Sequence, residues 1–397
     1  MPPSGPLAGL TVLDLTRVLS GPYCTMLLAD MGARVIKVEQ PGRGDDTRAW
    51  GPPFAGGETA YFLSINRNKE SVTLDFKSPR GREILDRLIA RADILVENFR
   101  PGTLARLGLD YATVRRSRPE LIYGSISGFG QDGPRRDQPG YDATIQAEGG
   151  LMSVTGDPDG PPFRVGVAIA DLVAGLLAAQ GITLALYVRE RGGHGQHVDI
   201  SMLVGVVSLL SYHASIFLTS GATSGRVGNR HATIAPYDAF QAADGELFLA
   251  VGNDDQFVRF CRVTGLQDLL RDDRFATNPA RVVHYDALRP RVAGALGRQP
   301  REHWIAALTA AGVSCGAVRD VAEAMSDPQL LARRMIEVVE HVALGPMKVL
   351  GVPIKLSETP GHVRTAPPVL GQHTEPVLRE LGLDDAAIAA LGRDAII

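Results

Sequence analysis

The chain has 397 residues and a formal net charge of −3, with 45% hydrophobic and 21% charged residues. That balance is the one found in chains that bury a core, and so small a net charge gives no bulk attraction for nucleic acid. Length fits two or three domains, or one large domain with an insertion. Cys24, Cys261 and Cys315 lie far apart and outside any CxxC or Cys/His cluster, so no metal site is expected. So few, unpaired cysteines suit a reducing cytoplasm, where localisation is expected. Met1–Leu10 lacks the basic start and long apolar stretch of a secretory signal.

In chain order, Leu10–Leu15 reads as a buried strand. A turn through Arg17, Val18 and Leu19 leads into a helix that runs to about Met31, with Pro22 at its first position and Ser20 or Gly21 as cap. Arg34–Glu39 is a second strand, which completes a β-α-β unit of a doubly wound parallel sheet. Glu39 stands where a ribose-binding acid would stand in a dinucleotide site. The turn nevertheless lacks the GxGxxG glycines that let a pyrophosphate approach, which argues against nicotinamide binding. Residues Pro41–Gly57 form a Gly/Pro-rich loop carrying Arg43 and Arg48.

Strands are then predicted at Ser71–Phe76, Ile94–Val96 and Leu121–Ser127, with helices at Pro79–Ala92, Thr103–Leu107 and Tyr111–Arg118. Asn98 lies just past a strand end, where open α/β sheets bind ligands. From Gly128 to Asp171 the chain reads as irregular. A long helix from about Ala168 to Arg191, a strand His197–Ile200 and a helix Met202–Leu218 follow. Both helices are apolar enough to call for a membrane check, but their polar residues favour core helices at a domain or subunit interface. A polar, Gly-rich stretch from Gly221 to Pro236 marks a boundary. Beyond it lie a hairpin (Tyr237–Phe240, Leu247–Val251) and helices Asp255–Thr264, Tyr285–Gly297 and Arg301–Ala311. Residues from about Asp327 read as an extended, proline-rich return, ending in helices Thr374–Leu381 and Asp384–Leu391. The predicted division is a large domain, residues 1–220, a small α+β domain, 221–326, and a return, 327–397.

One residue is anomalous. Asp171 heads a run, Leu172–Val188, that contains no formal charge. Burying a carboxylate without partners costs several kcal/mol, so a compensating feature is expected. First-turn acids are also common helix starters, and the residue alone leaves both readings open. Cys315, in Gly312-Val313-Ser314-Cys315-Gly316, is a second nucleophile candidate with no placed histidine partner.

Taken together, several stretches in order resemble the class III coenzyme A transferases. They are Leu13-Asp14-Leu15-Thr16-Arg17-Val18-Leu19-Ser20-Gly21-Pro22, Gly32–Glu39, Asn66-Arg67-Asn68-Lys69, Val96-Glu97-Asn98-Phe99, Gly140-Tyr141-Asp142 and Ala170-Asp171. Within that family Thr16–Leu19, Gly44-Asp45-Asp46-Thr47-Arg48 and Ala235-Pro236-Tyr237 look most like the succinyl-CoA:glutarate type.

The resemblance implies an α/β fold, a Rossmann-like large domain with a parallel sheet plus a smaller α+β domain, in an interlocked homodimer. It implies acyl-CoA and carboxylic acid substrates, no metal, no nucleic acid and no membrane. Asp171 matches the family's nucleophile, which forms an acyl anhydride and then an aspartyl-CoA thioester. Coenzyme A is expected along Val18, Leu19, Ser20, Gln40, Leu74, Asp75, Lys77, Asn98, Phe99, Arg100, Arg106 and Asp142. Lys77, Arg100 and Arg106 are the charges suited to phosphate. Gln40 replaces an arginine common in relatives, and Arg43 is the nearby cation to take its place. Tyr141 stands where the racemase branch has an acid/base histidine; tyrosine, with a pKa near 10, points to transfer instead. Arg17 and His231 are candidates for a distal carboxylate. Gly252 and Asn253 lie in Val251-Gly252-Asn253-Asp254, which replaces the multi-glycine loop of the formyl/oxalate enzymes and points away from oxalate. The alternatives are an acyl-CoA racemase and a CoA-binding protein without turnover.

Overall fold

The structure, a computed structural model, describes residues 5–397. The chain divides into two compact units. The larger holds the chain through Leu151, Val165–Ala214 and Pro328–Ile397; the smaller holds Met152–Arg164 and Ser215–Asp327.

The larger unit is built on a six-stranded parallel sheet: β1 Thr11–Asp14, β2 Arg34–Glu39, β3 Lys69–Thr73, β4 Ile94–Glu97, β5 Ile122–Ser127 and β6 His197–Ser201. Their spatial order is β3-β2-β1-β4-β5-β6. The order reverses between β1 and β4, and the loops after those two strands flank the crevice where such sheets bind ligands. Strands covered on both faces must be apolar throughout, and Val12, Val35, Ile94, Leu95 and Ile122 are all buried.

One face packs on the Pro79–Arg91 helix through Ile84, Leu85, Leu88 and Ile89. Val377, Leu378, Ile388 and Leu391 of the C-terminal helices Thr374–Glu380 and Asp385–Arg393 complete that layer. The opposite face holds Cys24 and Leu28 of the Ser20–Asp30 helix and Ala170, Ala174, Ala178, Ile182 and Ala185 of the Ile169–Glu190 helix. By length and composition this second helix could cross a membrane; here its small-residue face packs on the sheet, while Leu176, Leu184 and Tyr187 are exposed.

Several predicted elements differ. The expected Met202–Leu218 helix is broken into Met202–Leu209 and Tyr212–Ser220, with Ser211 at φ 45° between them. Polar residues are scattered along the run, and no glycine or proline stands at the break to mark it. The predicted strand Ser71–Phe76 lies two residues earlier, which buries Lys69. Asp142–Glu148 is a helix inside the stretch read as irregular. The Ser20 helix has Leu19 at its cap position and no side-chain cap, so Ser20 and Gly21 are helical residues and not caps. The return opens with a short helix, Pro328–Ala332, and a hairpin, Ile336–His341 with Gly345–Leu350, before it becomes extended.

The smaller unit carries a three-stranded antiparallel sheet in which Gly245–Ala250 lies between Tyr237–Ala242 and Ser314–Ala317. The last strand was missed: Ser-Cys-Gly-Ala has little β-propensity of its own. It fixes Cys315 in a sheet, and burial pushes that thiol up to about 11, away from nucleophilic chemistry. Residues 152–164 join this unit through Gly228 N–H to the Gly156 carbonyl (2.9 Å) and Arg226 Nη2 to the Gly160 carbonyl (2.8 Å). Arg281, fully buried, ties the unit's loops together through the Ala235 and Phe275 carbonyls and Asp254.

Candidate active site

The turn after β1 is fixed by polar groups on every side. Asp14 accepts from Thr16 N–H and Oγ1. Asn98, after β4, clamps Arg17 from both sides: its Oδ1 accepts Arg17 N–H at 2.8 Å and its Nδ2 donates to the Arg17 carbonyl at 2.7 Å. Val18 N–H lies 3.3 Å from both Asp45 carboxylate oxygens. Lys37, with no solvent exposure, donates to the Thr16 carbonyl (2.8 Å) and to Asp45 (3.0 Å). Lys69 donates to Asp14, the Pro22 carbonyl and Asn66. Two ammonium groups facing two carboxylates avoid the cost of an uncompensated buried charge. Burial alone would raise the Asp14 pKa, but Lys69 and Lys37, with the Thr16 and Thr25 hydroxyls, hold it down to about 2. Burial takes the Lys69 ammonium down to about 8.

Asp171 is half-buried in the first turn of the Ile169–Glu190 helix. The start of the Ser20–Asp30 helix meets it: Ser20 shares its cleft wall, and the Ser20 hydroxyl and N–H favour the charged carboxylate. Two helix N-termini therefore serve one anion, a favourable placement for negative charge. Burial, and after it the like charge of Asp142, outweigh them and push the Asp171 carboxyl up to about 6. The helices can approach this closely because Gly175 has no side chain: a Cβ there would stand 2.6 Å from the Ser20 carbonyl oxygen.

Two open clefts meet at this point. A cleft of about 800 Å³ is lined by Arg17, Val18, Ser20, Asn98, Phe99, Arg100, Tyr141 and Asp171. A neighbouring cleft of about 730 Å³ shares Arg17 and Phe99 with it and is lined by Gln40, Arg43, Leu74, Asp75 and Lys77. The joined clefts place the Asp171 carboxylate at one end and Lys77 and Arg43 at the other. A long substrate with an anionic tail fits that charge pattern.

Most predicted site residues thus share one surface of the larger unit. Leu19 is buried behind it. Arg106 is outside both clefts, exposed, with Nη2 3.5 Å from Thr103 Oγ1. Asp142 is also off the cleft wall. Its oxygens accept from Ala170 N–H (2.9 Å) and Gln146 Nε2 (2.8 Å), so it caps the Asp171 helix and acts on Asp171 through its charge. In the smaller unit His231 Nδ1 accepts from Thr233 N–H (3.1 Å) and its ring packs against Tyr237. Gly252 N–H donates to Gln256 Oε1 (2.6 Å), and the Asn253 side chain caps the Asp254–Thr264 helix.

Sequence reasoning missed three participants. Ser20, expected along the coenzyme path, is also the partner of Asp171. Tyr61, whose hydroxyl is pushed up to about 12 by burial and then by the Asp171 and Asp142 charges, lies close enough to feel the Asp171 carboxylate. Glu97 accepts Phe99 N–H at 2.9 Å and shapes the Asn98–Arg100 turn; burial pushes its carboxyl up to about 7. Of the buried charges Lys37, Lys69 and Glu97, only Lys37 lay inside a predicted strand; Lys69 and Glu97 fell just outside theirs, and only the fold supplies their partners.

Coenzyme A transfer is the chemistry that comparison supports. The sequence model of CoA-transferase family III matches residues 7–374. An acetyl-CoA:oxalate CoA-transferase of Acetobacter aceti is 43% identical over 97% of this chain and 98% of its own length. A succinate–glutarate CoA-transferase of Agrobacterium fabrum is 42% identical over 95% of this chain and 96% of its own. A CaiB/BaiF family protein from Brucella suis, 40% identical, superposes with a TM-score of 0.85 over 95% of this chain and 100% of that one. With that match along almost its whole length, the chain belongs to CoA-transferase family III.

Proposed function

We propose that the protein moves coenzyme A from succinyl-CoA to a second dicarboxylic acid, with Asp171 as the nucleophile. The observation that carries this reading is the setting of Asp171: a half-buried carboxylate at the cleft wall, beside two helix N-termini, with its pKa raised to about 6. Raising the pKa of a carboxylate increases its basicity while it remains ionised near neutrality.

The chemistry needs no outside proton or water. An Asp171 oxygen attacks the donor thioester carbon and the carbon–sulfur bond breaks, leaving a mixed anhydride and CoA thiolate. The thiolate attacks the Asp171 acyl carbon and expels the donor acid, which gives an aspartyl-CoA thioester. The acceptor carboxylate attacks that same carbon and expels thiolate again. Thiolate then takes the acceptor's acyl group and Asp171 is restored. Lys77 and Arg43 sit at the end suited to the coenzyme phosphates, and Phe99 lies at the junction of the two clefts. Arg17, with a half-exposed guanidinium over the Phe99 ring, is the cation placed for a distal carboxylate. Tyr141, 68% exposed on the Asp171 cleft, supplies a hydroxyl to the acyl group. In the smaller unit, His231, Gly252 and Asn253 remain candidates for choosing the acceptor. The oxalate enzyme among the relatives keeps oxalate in the acceptor panel beside glutarate.

The working form we propose is an interlocked homodimer. The exposed Leu184, Val204 and Val207 would be covered by the second copy, because a patch of that kind marks an interaction surface.

The test is direct. Wild type and Asp171→Ala are incubated with succinyl-CoA and a panel of glutarate, oxalate and monocarboxylates, and new thioesters are measured. Hydroxylamine added during turnover should leave a hydroxamate on Asp171 detectable by mass spectrometry. Undiminished transfer by the alanine variant would sink the nucleophile assignment. Exchange of the α-proton without an acceptor acid would favour a racemase.

A further inference from the structure

Val18 is a β-branched residue held at φ 69°. Side chains of that shape avoid positive φ, and such an outlier persists only where its surroundings over-determine it. Here the surroundings are specific. Asn98 grips the preceding residue on both its N–H and its carbonyl. Asp45 faces Val18 N–H with both oxygens, and Lys37 ties Asp45 to the Thr16 carbonyl. Asp45 is itself located by three more bonds: its N–H donates to Glu39 (2.9 Å), and its Oδ1 accepts from Thr47 N–H (3.0 Å) and Thr47 Oγ1 (2.8 Å). Two residues beyond Val18 stands Ser20, which shares a cleft wall with Asp171 and opens the helix packed on Gly175 of the Asp171 helix.

From this geometry we infer that Asp45 is a positioning residue for the reaction. It holds Val18 in its strained conformation, so that Ser20 is delivered to Asp171. Asp45 touches neither Asp171 nor the Asp171 cleft; it lines the neighbouring cleft, together with Lys37. It therefore joins the wall of the anionic-tail cleft to the backbone at the reacting carboxylate. The inference rests on the reading of Asp171 as nucleophile. It gives Asp45, a residue of the Gly44–Arg48 stretch and of the neighbouring cleft's wall, a role that the resemblance did not assign.

A purely structural carboxylate would act independently of the conformation at residue 18. Glycine adopts positive φ without penalty, so Val18→Gly should make Asp45 less necessary. The experiment measures the effect of Asp45→Asn in the wild-type and Val18→Gly backgrounds, with succinyl-CoA and glutarate. In wild type, kcat should fall about 30-fold with KM for succinyl-CoA changed by less than about 3-fold, the pattern expected when a reacting group is misplaced and binding is not. In the Val18→Gly background the fall in kcat should shrink to less than about 5-fold. Equal losses in both backgrounds, or a loss confined to KM, would overturn the inference.

If Asp45→Asn fails to fold because Lys37 loses its counter-charge, the paired change Asp45→Asn with Lys37→Met takes its place in the same comparison. Val18→Gly alone should raise the melting temperature, and a decrease would refute the strain. Asp171→Ala, measured alongside, tests the nucleophile separately: full activity there would remove the target of the positioning, whereas the coupling between Asp45 and Val18 is read from its own four variants.

Discussion

Gly175→Ala tests the packing that brings Asp171 to Ser20. The added methyl carbon would stand 2.6 Å from the Ser20 carbonyl oxygen and 3.0 Å from Tyr23 Cδ1, where ordinary contact begins at 3.4 Å. The obstacle is backbone, so the helices must separate by about 0.8 Å. Alanine gains ~0.5–1 kcal/mol in helix propensity, and overpacking costs ~1–3 kcal/mol. The net is a loss of about 0–2.5 kcal/mol, a melting shift of several degrees at most for a unit of this size. Activity should suffer more. Misplacing a reacting group by about 1 Å can cost ~100-fold, so kcat should drop by about 10- to 100-fold. Thermal unfolding and steady-state transfer from succinyl-CoA to glutarate measure the two effects. Gly294→Ala is the control, since a Cβ there meets nothing within 4 Å. A Gly175→Ala enzyme with wild-type kcat would refute the claim that this helix contact sets the reacting geometry.

The pH profile follows from Asp171. In the proposed mechanism it reacts as the anion, and its carboxyl is pushed up to about 6, so kcat should fall as pH drops through about 6. Asp142→Asn removes the like charge and should move that limb to lower pH; an unmoved limb would contradict the assigned cause. The Asp14–Lys69 pair should matter for stability. Asp14 has a folded pKa of about 2, below its ordinary 3.8, so its contribution is present above 3.8 and lost as pH falls toward 2. Asp14→Ala leaves Lys69 buried without its partner and should cost ~3–5 kcal/mol in urea unfolding, whereas adding Lys69→Met should recover part of the loss. Cys315→Ser should keep full transfer activity, and the wild-type thiol, pushed up to about 11, should resist alkylation at pH 8. Loss of activity on that change would return Cys315 to the list of catalytic candidates.

How much of this was legible depended on the kind of signal. Asp171 announced itself as a charge heading an apolar run, and the β-α-β opening was plain from Val-Ile strands separated by a helix. Arg34–Glu39 was bounded correctly because both its ends are marked, by Gly32 before it and Pro41 after it. Lys37 and Lys69 were harder. A lysine inside a strand reads as an outward residue, and each partner depends on strand order: Asp14 meets Lys69 across a separation of 55 residues. Asp142 was assigned to the coenzyme through its motif, but its oxygens serve the Asp171 helix, a role set by two backbone paths converging. The break at Ser211 left no trace because no glycine or proline stands there to punctuate the helix.

The C-terminal return has a consequence for how the chain is made. Strand β3 is an edge of the parallel sheet, and the far end of the chain covers it: His373 N–H reaches the Ser71 carbonyl, and Thr73 N–H reaches the Thr374 hydroxyl at 2.9 Å. Asp75 N–H is likewise taken by the Ile396 carbonyl at 2.7 Å. On the ribosome, then, the coenzyme half stays unsealed until more than three hundred further residues have been added. The smaller unit's main segment, Ser215–Asp327, leaves the tunnel within that interval with its own core of Phe240, Phe257 and Phe260. A premature stop near residue 370 would therefore release a folded insert attached to an open-edged sheet, an aggregation hazard and not merely a slower enzyme.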